Sequence, residues 1–129
     1  MTKILVVEDN EMNMRLFTDL LKTKNYEVFE CMKGSKALNM VKQIHPDLVV
    51  MDIQMPEVSG IDVTKMIRET PAVSKTLVLA VSAFAMKSDE ERILKAGVDG
   101  YISKPISIPI FFETIDRFLK KKESHETNT

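Results

Sequence analysis

Five short runs of mostly apolar residues recur along the chain, and an amphipathic segment follows each of them. The runs cover residues 4–7, 26–30, 48–52, 76–81 and 98–102. Short apolar runs bounded by Gly, Pro, Asn or Asp are typical of strands that are buried on both faces. The second run alternates apolar and polar residues, so it predicts a strand that is less completely buried. The pattern therefore predicts five strands.

Apolar residues at spacings of three and four predict a helix after each run. Ser59 with Asp62 and Ser88 with Glu91 have the spacing of capping boxes, which predicts that the third and fourth helices begin there. The fourth helix could also begin up to one turn earlier, near Phe84. The predicted helices cover residues 11–24, 37–44, 60–70, 88–96 and 107–122. The last one is expected to turn these apolar residues inward: Ile110, Phe111, Ile115, Phe118 and Leu119.

The alternation of strands and helices predicts the fold class. Near-continuous apolar strands separated by helices imply a parallel sheet that is covered on both faces. Right-handed crossovers leave few topologies, and the prediction is an α/β fold, a flavodoxin-like doubly wound (βα)5 arrangement with a five-stranded parallel sheet. One domain is predicted to span residues 1–122. Residues 123–129 form a polar tail without an apolar anchor, which is expected to be disordered.

The composition of the chain limits the classes of binding partner and the cellular locations that the sequence predicts. The 18 basic and 19 acidic residues give a net charge of −1, so no nucleic-acid partner is predicted. Cys31 is the only cysteine, which excludes an internal disulfide and fits a reducing cytoplasm. The first apolar run is too short for a signal peptide or a membrane span. The sequence therefore predicts a cytoplasmic protein without membrane insertion.

Polar residues stand where four of the predicted strands end. They are Glu8 and Asp9 after the first, Asp52 on the third, Ser82 after the fourth and Lys104 after the fifth. Because the carboxyl ends of parallel strands share one edge of a sheet, these side chains are expected to converge. Three nearby carboxylates require a cation, and oxygen ligands suit Mg²⁺. Asp52 could then act as a nucleophile, with Lys104 and Ser82 holding oxygens of a phosphoryl group.

Each of these residues also has a simpler interpretation. Asp9 alone could be a helix cap, Ser82 a turn residue and Lys104 a surface charge at a strand end. The conjunction of all of them at one edge favours the functional interpretation. His45 and His125 are interpreted as surface residues, and the four glycines stand singly, so no phosphate-binding glycine loop supports a nucleotide-binding enzyme.

These residues lie in motifs that resemble those of receiver domains of two-component response regulators. The motifs are Val-Glu-Asp-Asn at 7–10, Met-Asp-Ile-Gln-Met-Pro at 51–56, Val-Ser-Ala at 81–83 and Ser-Lys-Pro at 103–105. The resemblance covers residues 3–122. Three further stretches, at 10–14, 83–87 and 101–107, resemble in particular single-domain regulators of polar differentiation and cell-cycle progression in alphaproteobacteria. The function that the resemblance implies is protein signalling in a phosphorelay.

The resemblance assigns a role to each residue of the acidic site. Asp52 matches the phosphoacceptor, which takes its phosphoryl group from a histidine of a sensor kinase or a phosphotransfer protein. Asp9 and Asp52 match side-chain ligands of Mg²⁺, and the backbone carbonyl of Gln54 matches the third protein ligand. Glu8 is expected to act mainly through water. The protein would catalyse only its own phosphorylation and dephosphorylation.

The resemblance also implies a switch and an output surface. Lys104 matches the phosphate-contacting lysine, and the Lys104–Pro105 bond is expected to be cis. Ser82 and Tyr101 match the switch residues, and both are expected to move inward on phosphorylation. Independently of the resemblance, Phe84 is predicted from its position two residues after Ser82 to shield the phosphoryl group from water, with packing or a partner surface as the alternative. The fourth helix, fifth strand and last helix would contact a downstream protein, and a monomer that partners recruit to a cell pole is predicted.

Two other functions fit parts of the same pattern. A small Mg²⁺-dependent phosphatase of the haloacid dehalogenase class also uses an Asp nucleophile on a doubly wound sheet. That class requires a second Asp two residues after the nucleophile, where this chain has Gln54, and the chain lacks a cap domain. A receiver-like scaffold that is never phosphorylated is the third reading, and the complete set of site residues argues against it.

Overall fold

The computed structural model describes residues 1–83 and 86–127, with side chains described as far as Lys122. Within this part of the chain, strands and helices alternate from end to end. The strands are β1 (Lys3–Val7), β2 (Glu27–Cys31), β3 (Leu48–Asp52), β4 (Leu77–Ser82) and β5 (Gly100–Ser103). The helices are α1 (Glu11–Lys22), α2 (Gly34–Ile44), α3 (Gly60–Glu69), α4 (Lys87–Lys95) and α5 (Ile108–Thr127).

The strands form one parallel sheet in the order β2-β1-β3-β4-β5. This order confirms the predicted flavodoxin-like doubly wound fold. Among the residues with described side chains, the buried apolar ones form two clusters, one that includes Leu5, Val49 and Ile67 and another that includes Val6, Val50 and Phe111. Since neighbouring strand residues alternate between the clusters, the helices cover both faces of the sheet. All five residues of β3 are buried at the centre.

Of the two predicted capping boxes, the one at Ser59 is present and the one at Ser88 is absent. Asn10 caps α1 by accepting the backbone N–H of Asn13, and Ser59 forms the predicted capping box with Asp62. The box predicted at Ser88 is wrong, because α4 already begins at Lys87, after Met86, without a side-chain cap. Asp89 and Glu90 in the first turn of α4 stabilise its positive end instead. Phe84 lies outside the described residues.

The last helix also differs from the prediction at both ends. Ile110 is 54% exposed, whereas Phe111 and Ile115 are fully buried. At 3.6 residues per turn, Phe111 and Ile115 lie four positions apart on the face that packs against the core, and Ile110 lies outside that face. Beyond the predicted end at Lys122, the backbone of α5 stays helical to Thr127, since no Gly or Pro interrupts this segment. The division into a domain and a tail stays a prediction.

None of the described helices combines the length and the apolar character that crossing a bilayer requires.

Candidate functional site

The strand register brings the predicted site residues to one edge of the sheet. Val7 of β1 pairs with Met51 of β3, so Glu8 and Asp52 follow at the same level. Carboxylate oxygens of Glu8, Asp9 and Asp52 lie within 4.8 Å of one another. The Nζ atom of Lys104 lies 3.4 Å from Glu8 Oε1 and 3.4 Å from Asp52 Oδ1. The predicted convergence of these four residues is therefore present in the structure.

Burial makes the charges of this cluster costly. Glu8 is 0% and Asp52 2% exposed, whereas Asp9 faces solvent. Burial raises the pKa of Glu8, and the hydrogen bond to Asp52 and the Asp52 charge raise it further. The Lys104 ammonium and the Asn10 N–H, which donates to Glu8 Oε2, act in the opposite direction. One ammonium group thus compensates two buried carboxylates incompletely, which favours binding of a further cation.

The donor set of the cluster fits a hard divalent cation. All three side chains offer carboxylate oxygens, which are the ligands that Mg²⁺ prefers, and Asp9 is open to solvent, so bound water could complete a coordination shell. Gln54, predicted to contribute its backbone carbonyl, is adjacent because its N–H donates to Asp52 Oδ1 at 3.2 Å. The chemistry of the residues therefore agrees with the predicted ion.

Lys104 is held at the site by its backbone. Its N–H donates to the carbonyl oxygen of Ser82 at 2.8 Å, which ties the end of β5 to the end of β4. The Lys104–Pro105 peptide bond is cis, as the resemblance to receiver domains implies. The side chain is 23% exposed, so the ammonium group contacts both the buried carboxylates and the solvent side of the edge. An ammonium group in this position can bind an anion, such as a phosphoryl group, that approaches Asp52.

The two predicted switch residues lie on neighbouring strands. Ser82 is fully buried at the end of β4 and pairs with Ser103 of β5. Tyr101 is half-buried on β5 and packs against one of the two core clusters. Ser82 thus reaches the same edge as Asp52, while Tyr101 lies two residues before that edge.

Sequence reasoning missed two features of the loop that follows β3. For Gln54 only a role of the backbone carbonyl is predicted, but its side chain also accepts the N–H of Ala83 with Oε1 at 3.0 Å. Gly60 donates its N–H to Ile53 O at 3.1 Å, and a Cβ atom added there would lie 2.3 Å from the carbonyl oxygen of Asp52. A lone glycine four residues after Pro56 was the available signal for the second feature. The sequence contains no comparable signal for the first.

Comparison with known protein families gives a match over most of the chain. Residues 4–116 match the response regulator receiver domain family. The polar-differentiation response regulator DivK of Brucella ovis is 52% identical over 120 residues, which are 92% of this chain and 98% of the relative.

Solved structures with the same fold include two receiver domains. The receiver domain of the Francisella response regulator 1452 superimposes with a TM-score of 0.88 at 24% identity, over 95% of this chain and 99% of that one. The receiver domain of the sensor histidine kinase PA1611 of Pseudomonas aeruginosa gives a TM-score of 0.86 at 27% identity, over 92% of this chain and 98% of that one. That structure holds a magnesium ion coordinated in its active-site cleft.

Proposed function

The chain belongs to the family of response regulator receiver domains, and from this membership we propose that it accepts one phosphoryl group on Asp52 from a histidine of a partner protein. The donor would be a sensor histidine kinase or a histidine phosphotransfer protein of a two-component system. The observation that carries this proposal is the contact of one ammonium group, Lys104 Nζ, with the buried carboxylates of Glu8 and Asp52. The protein then acts in signalling, through contacts with other proteins.

The transfer step needs a nucleophile and positive charge. A carboxylate oxygen of Asp52 attacks the phosphorus, the bond from phosphorus to the donor imidazole nitrogen breaks, and the imidazole leaves with the electron pair. Lys104 would exchange its contacts with carboxylate oxygens for contacts with phosphoryl oxygens. Ser82 would donate its hydroxyl to another phosphoryl oxygen. Asp52 is suited to this role because a rigid, fully buried strand holds it.

The proposed cofactor is Mg²⁺. Asp9, Asp52 and the backbone carbonyl of Gln54 would hold the ion, with Glu8 acting through water. When bound, the ion supplies positive charge that offsets the charge on the carboxylates and on the transferred group. Two observations support this assignment: the spacing of the carboxylate oxygens, and the magnesium ion in the related Pseudomonas receiver domain.

The alternative of a small phosphatase is not favoured by the comparisons, which match receiver domains. A haloacid dehalogenase-type enzyme would require an acid at position 54 as its second catalytic group. The residue there is Gln54, and its side-chain oxygen is occupied by the N–H of Ala83. A neutral amide in this position can orient a loop and does not transfer a proton at neutral pH.

We expect acetyl phosphate with Mg²⁺ to add the mass of one phosphoryl group to each chain, because a receiver domain catalyses its own phosphorylation from small donors. Removing the ion with EDTA is expected to lower the rate by at least roughly tenfold, since the developing charge would lose its compensation. Intact-mass spectrometry over time measures both values.

The same samples separate the two candidate functions. A receiver domain should take up one equivalent and release it slowly, and it should not hydrolyse p-nitrophenyl phosphate. Repeated turnover of such esters would contradict the receiver function and support a phosphatase. A profile of phosphotransfer from candidate histidine kinases would then identify the donor.

Phosphorylation is expected to bury Tyr101 more deeply. If the Ser82 hydroxyl moves toward the phosphoryl group, the loop after β4 moves with it and leaves space for the Tyr101 ring. Fluorine NMR of fluorotyrosine-labelled protein, with and without beryllofluoride, measures the solvent exposure of the ring. Tyr26 is the matched internal control, because it is the only other tyrosine in the sequence and directly precedes β2, at the edge of the sheet opposite β5. An unchanged Tyr101 signal would contradict the proposed switch.

The output of the switch is proposed to be a protein contact. The surface formed by α4, β5 and α5 would change shape with Tyr101 and bind a downstream protein. Since the Brucella relatives are named polar-differentiation regulators, we propose a role in cell polarity or cell-cycle control. We further propose that the protein is a cytoplasmic monomer that its partners recruit to a cell pole.

A further inference from the structure

The Gln54 side chain connects the two loops that meet at the site. Its Oε1 accepts the backbone N–H of Ala83 at 3.0 Å, and its own backbone N–H donates to Asp52 Oδ1 at 3.2 Å. Gln54 lies in the loop after β3, and Ala83 directly follows Ser82, the last residue of β4. Gln54 therefore contacts the Asp52 carboxylate with its backbone and Ala83, next to Ser82, with its side chain.

The Ala83 N–H is a donor for which a new anion on Asp52 would compete. A phosphoryl group brings roughly 1.5 to 2 negative charges and strong acceptor oxygens. Hydrogen bonds to a charged acceptor are about twice as strong as those between neutral groups, and the Gln54 amide oxygen is neutral. Because Ala83 directly follows Ser82, a movement of Ser82 toward the phosphoryl group would displace this N–H as well.

We propose that the side chain of Gln54 is a positioning group that holds Ala83, directly after β4, in its unphosphorylated position and releases it when Asp52 is phosphorylated. This inference rests on the proposed function and deepens it by assigning a restraint to the switch. In this proposal the hydrogen bond stabilises the unphosphorylated arrangement and is absent from the switched one, so its removal would shift the equilibrium toward the switched one. A residue that served only the stability of the fold would leave that equilibrium unchanged.

The substitution Gln54→Met tests the restraint, because methionine has a similar length and no strong acceptor at its end. We expect amide hydrogen exchange at Ala83, followed by NMR in the unphosphorylated protein, to become about fivefold faster, as loss of one ordinary hydrogen bond predicts. The half-saturating concentration of beryllofluoride, a phosphoryl mimic, is expected to fall by about the same factor. Gln43→Met, the same exchange at an exposed position on α2, should change neither value.

The outcomes separate this inference from the proposed function. Unchanged exchange at Ala83 in Gln54→Met, or faster exchange with an unchanged beryllofluoride midpoint, would overturn the restraint alone. Gln54→Glu keeps an acceptor, so slow exchange at Ala83 is expected in that variant, and fast exchange would also overturn the restraint. Wild-type protein that binds no beryllofluoride and takes up no phosphoryl group would overturn the proposed function, and the restraint with it.

Discussion

Asp52→Asn is expected to abolish phosphorylation and, in the absence of metal, to make the protein more stable. The asparagine amide cannot form the acyl phosphate, so no phosphoryl group should be incorporated from acetyl phosphate or a histidine donor. The stability gain follows from the cluster itself, where one Lys104 ammonium group faces the buried carboxylates of Glu8 and Asp52. Removing one negative charge leaves a matched pair of Glu8 and Lys104. We expect a gain on the order of 1–3 kcal/mol, the usual cost of an incompletely compensated buried polar group.

Urea denaturation with and without Mg²⁺ measures the free energy of unfolding of the wild-type protein and of Asp52→Asn. Mg²⁺ should stabilise the wild-type protein by mass action and the variant much less, because the variant lacks a proposed ligand. Asp19→Asn on the exposed face of α1 removes the same charge away from the site and should change neither property. A variant that is less stable than wild type without metal would mean that attraction between Asp52 and Lys104 outweighs repulsion between the carboxylates.

The raised pKa of Glu8 has the same cause as the stability gain expected for Asp52→Asn, namely two buried carboxylates close together. Burial and the neighbouring Asp52 both disfavour a second negative charge, and Lys104 only partly opposes them. A protein selected for stability alone would not place Glu8 and Asp52 at adjacent strand ends under 0% and 2% exposure. The arrangement becomes understandable as a site whose favourable state includes a bound cation, which is the reason for proposing Mg²⁺ here.

Much of the fold could be predicted because buried parallel strands have a strong sequence pattern. The bounds of β3, Leu48–Asp52, are those of the predicted run, and the pattern also predicted the convergence of residues at the sheet edge. Helix details were less predictable. Ser88 has the residue type and spacing of a capping box, yet α4 begins one residue before it. Propensity near a helix end is worth about 1 kcal/mol, so tertiary packing can override it.

The contacts that connect the site were beyond sequence reasoning for a physical reason. The hydrogen bond from Ala83 to Gln54 joins residues 29 positions apart. It depends on the distance between the segments that follow β3 and β4, which residue spacing does not determine. The close approach of Gly60 to Asp52 likewise depends on the distance between a helix start and a strand end. The pattern of apolar and polar residues determines the order of the elements, whereas these contacts follow from how closely the elements pack.

Gly60→Ala is expected to destabilise the protein and to impair phosphorylation more than its stability loss explains. A Cβ atom at this position would lie 2.3 Å from the Asp52 carbonyl oxygen and 2.9 Å from both Ile53 Cα and Met51 Cγ. Two of these three atoms are backbone, so the start of α3 or the end of β3 must move. Overpacking of this kind typically costs about 1–3 kcal/mol. Because Asp52 is the proposed nucleophile, a displacement near 1 Å could slow phosphoryl transfer by roughly a hundredfold.

Ser59→Ala is the matched control, since it weakens the same helix without adding an atom against β3. Ser59 caps α3 by accepting the N–H of Asp62, and losing a cap costs about 1 kcal/mol. Both variants should unfold at lower urea concentrations than wild type. At concentrations where both are folded, only Gly60→Ala should take up phosphoryl groups slowly from acetyl phosphate. Equal phosphorylation rates for the two variants would contradict this prediction. They would mean that the start of α3 moves to accommodate the added Cβ atom, whereas the carboxyl end of β3 keeps Asp52 in place.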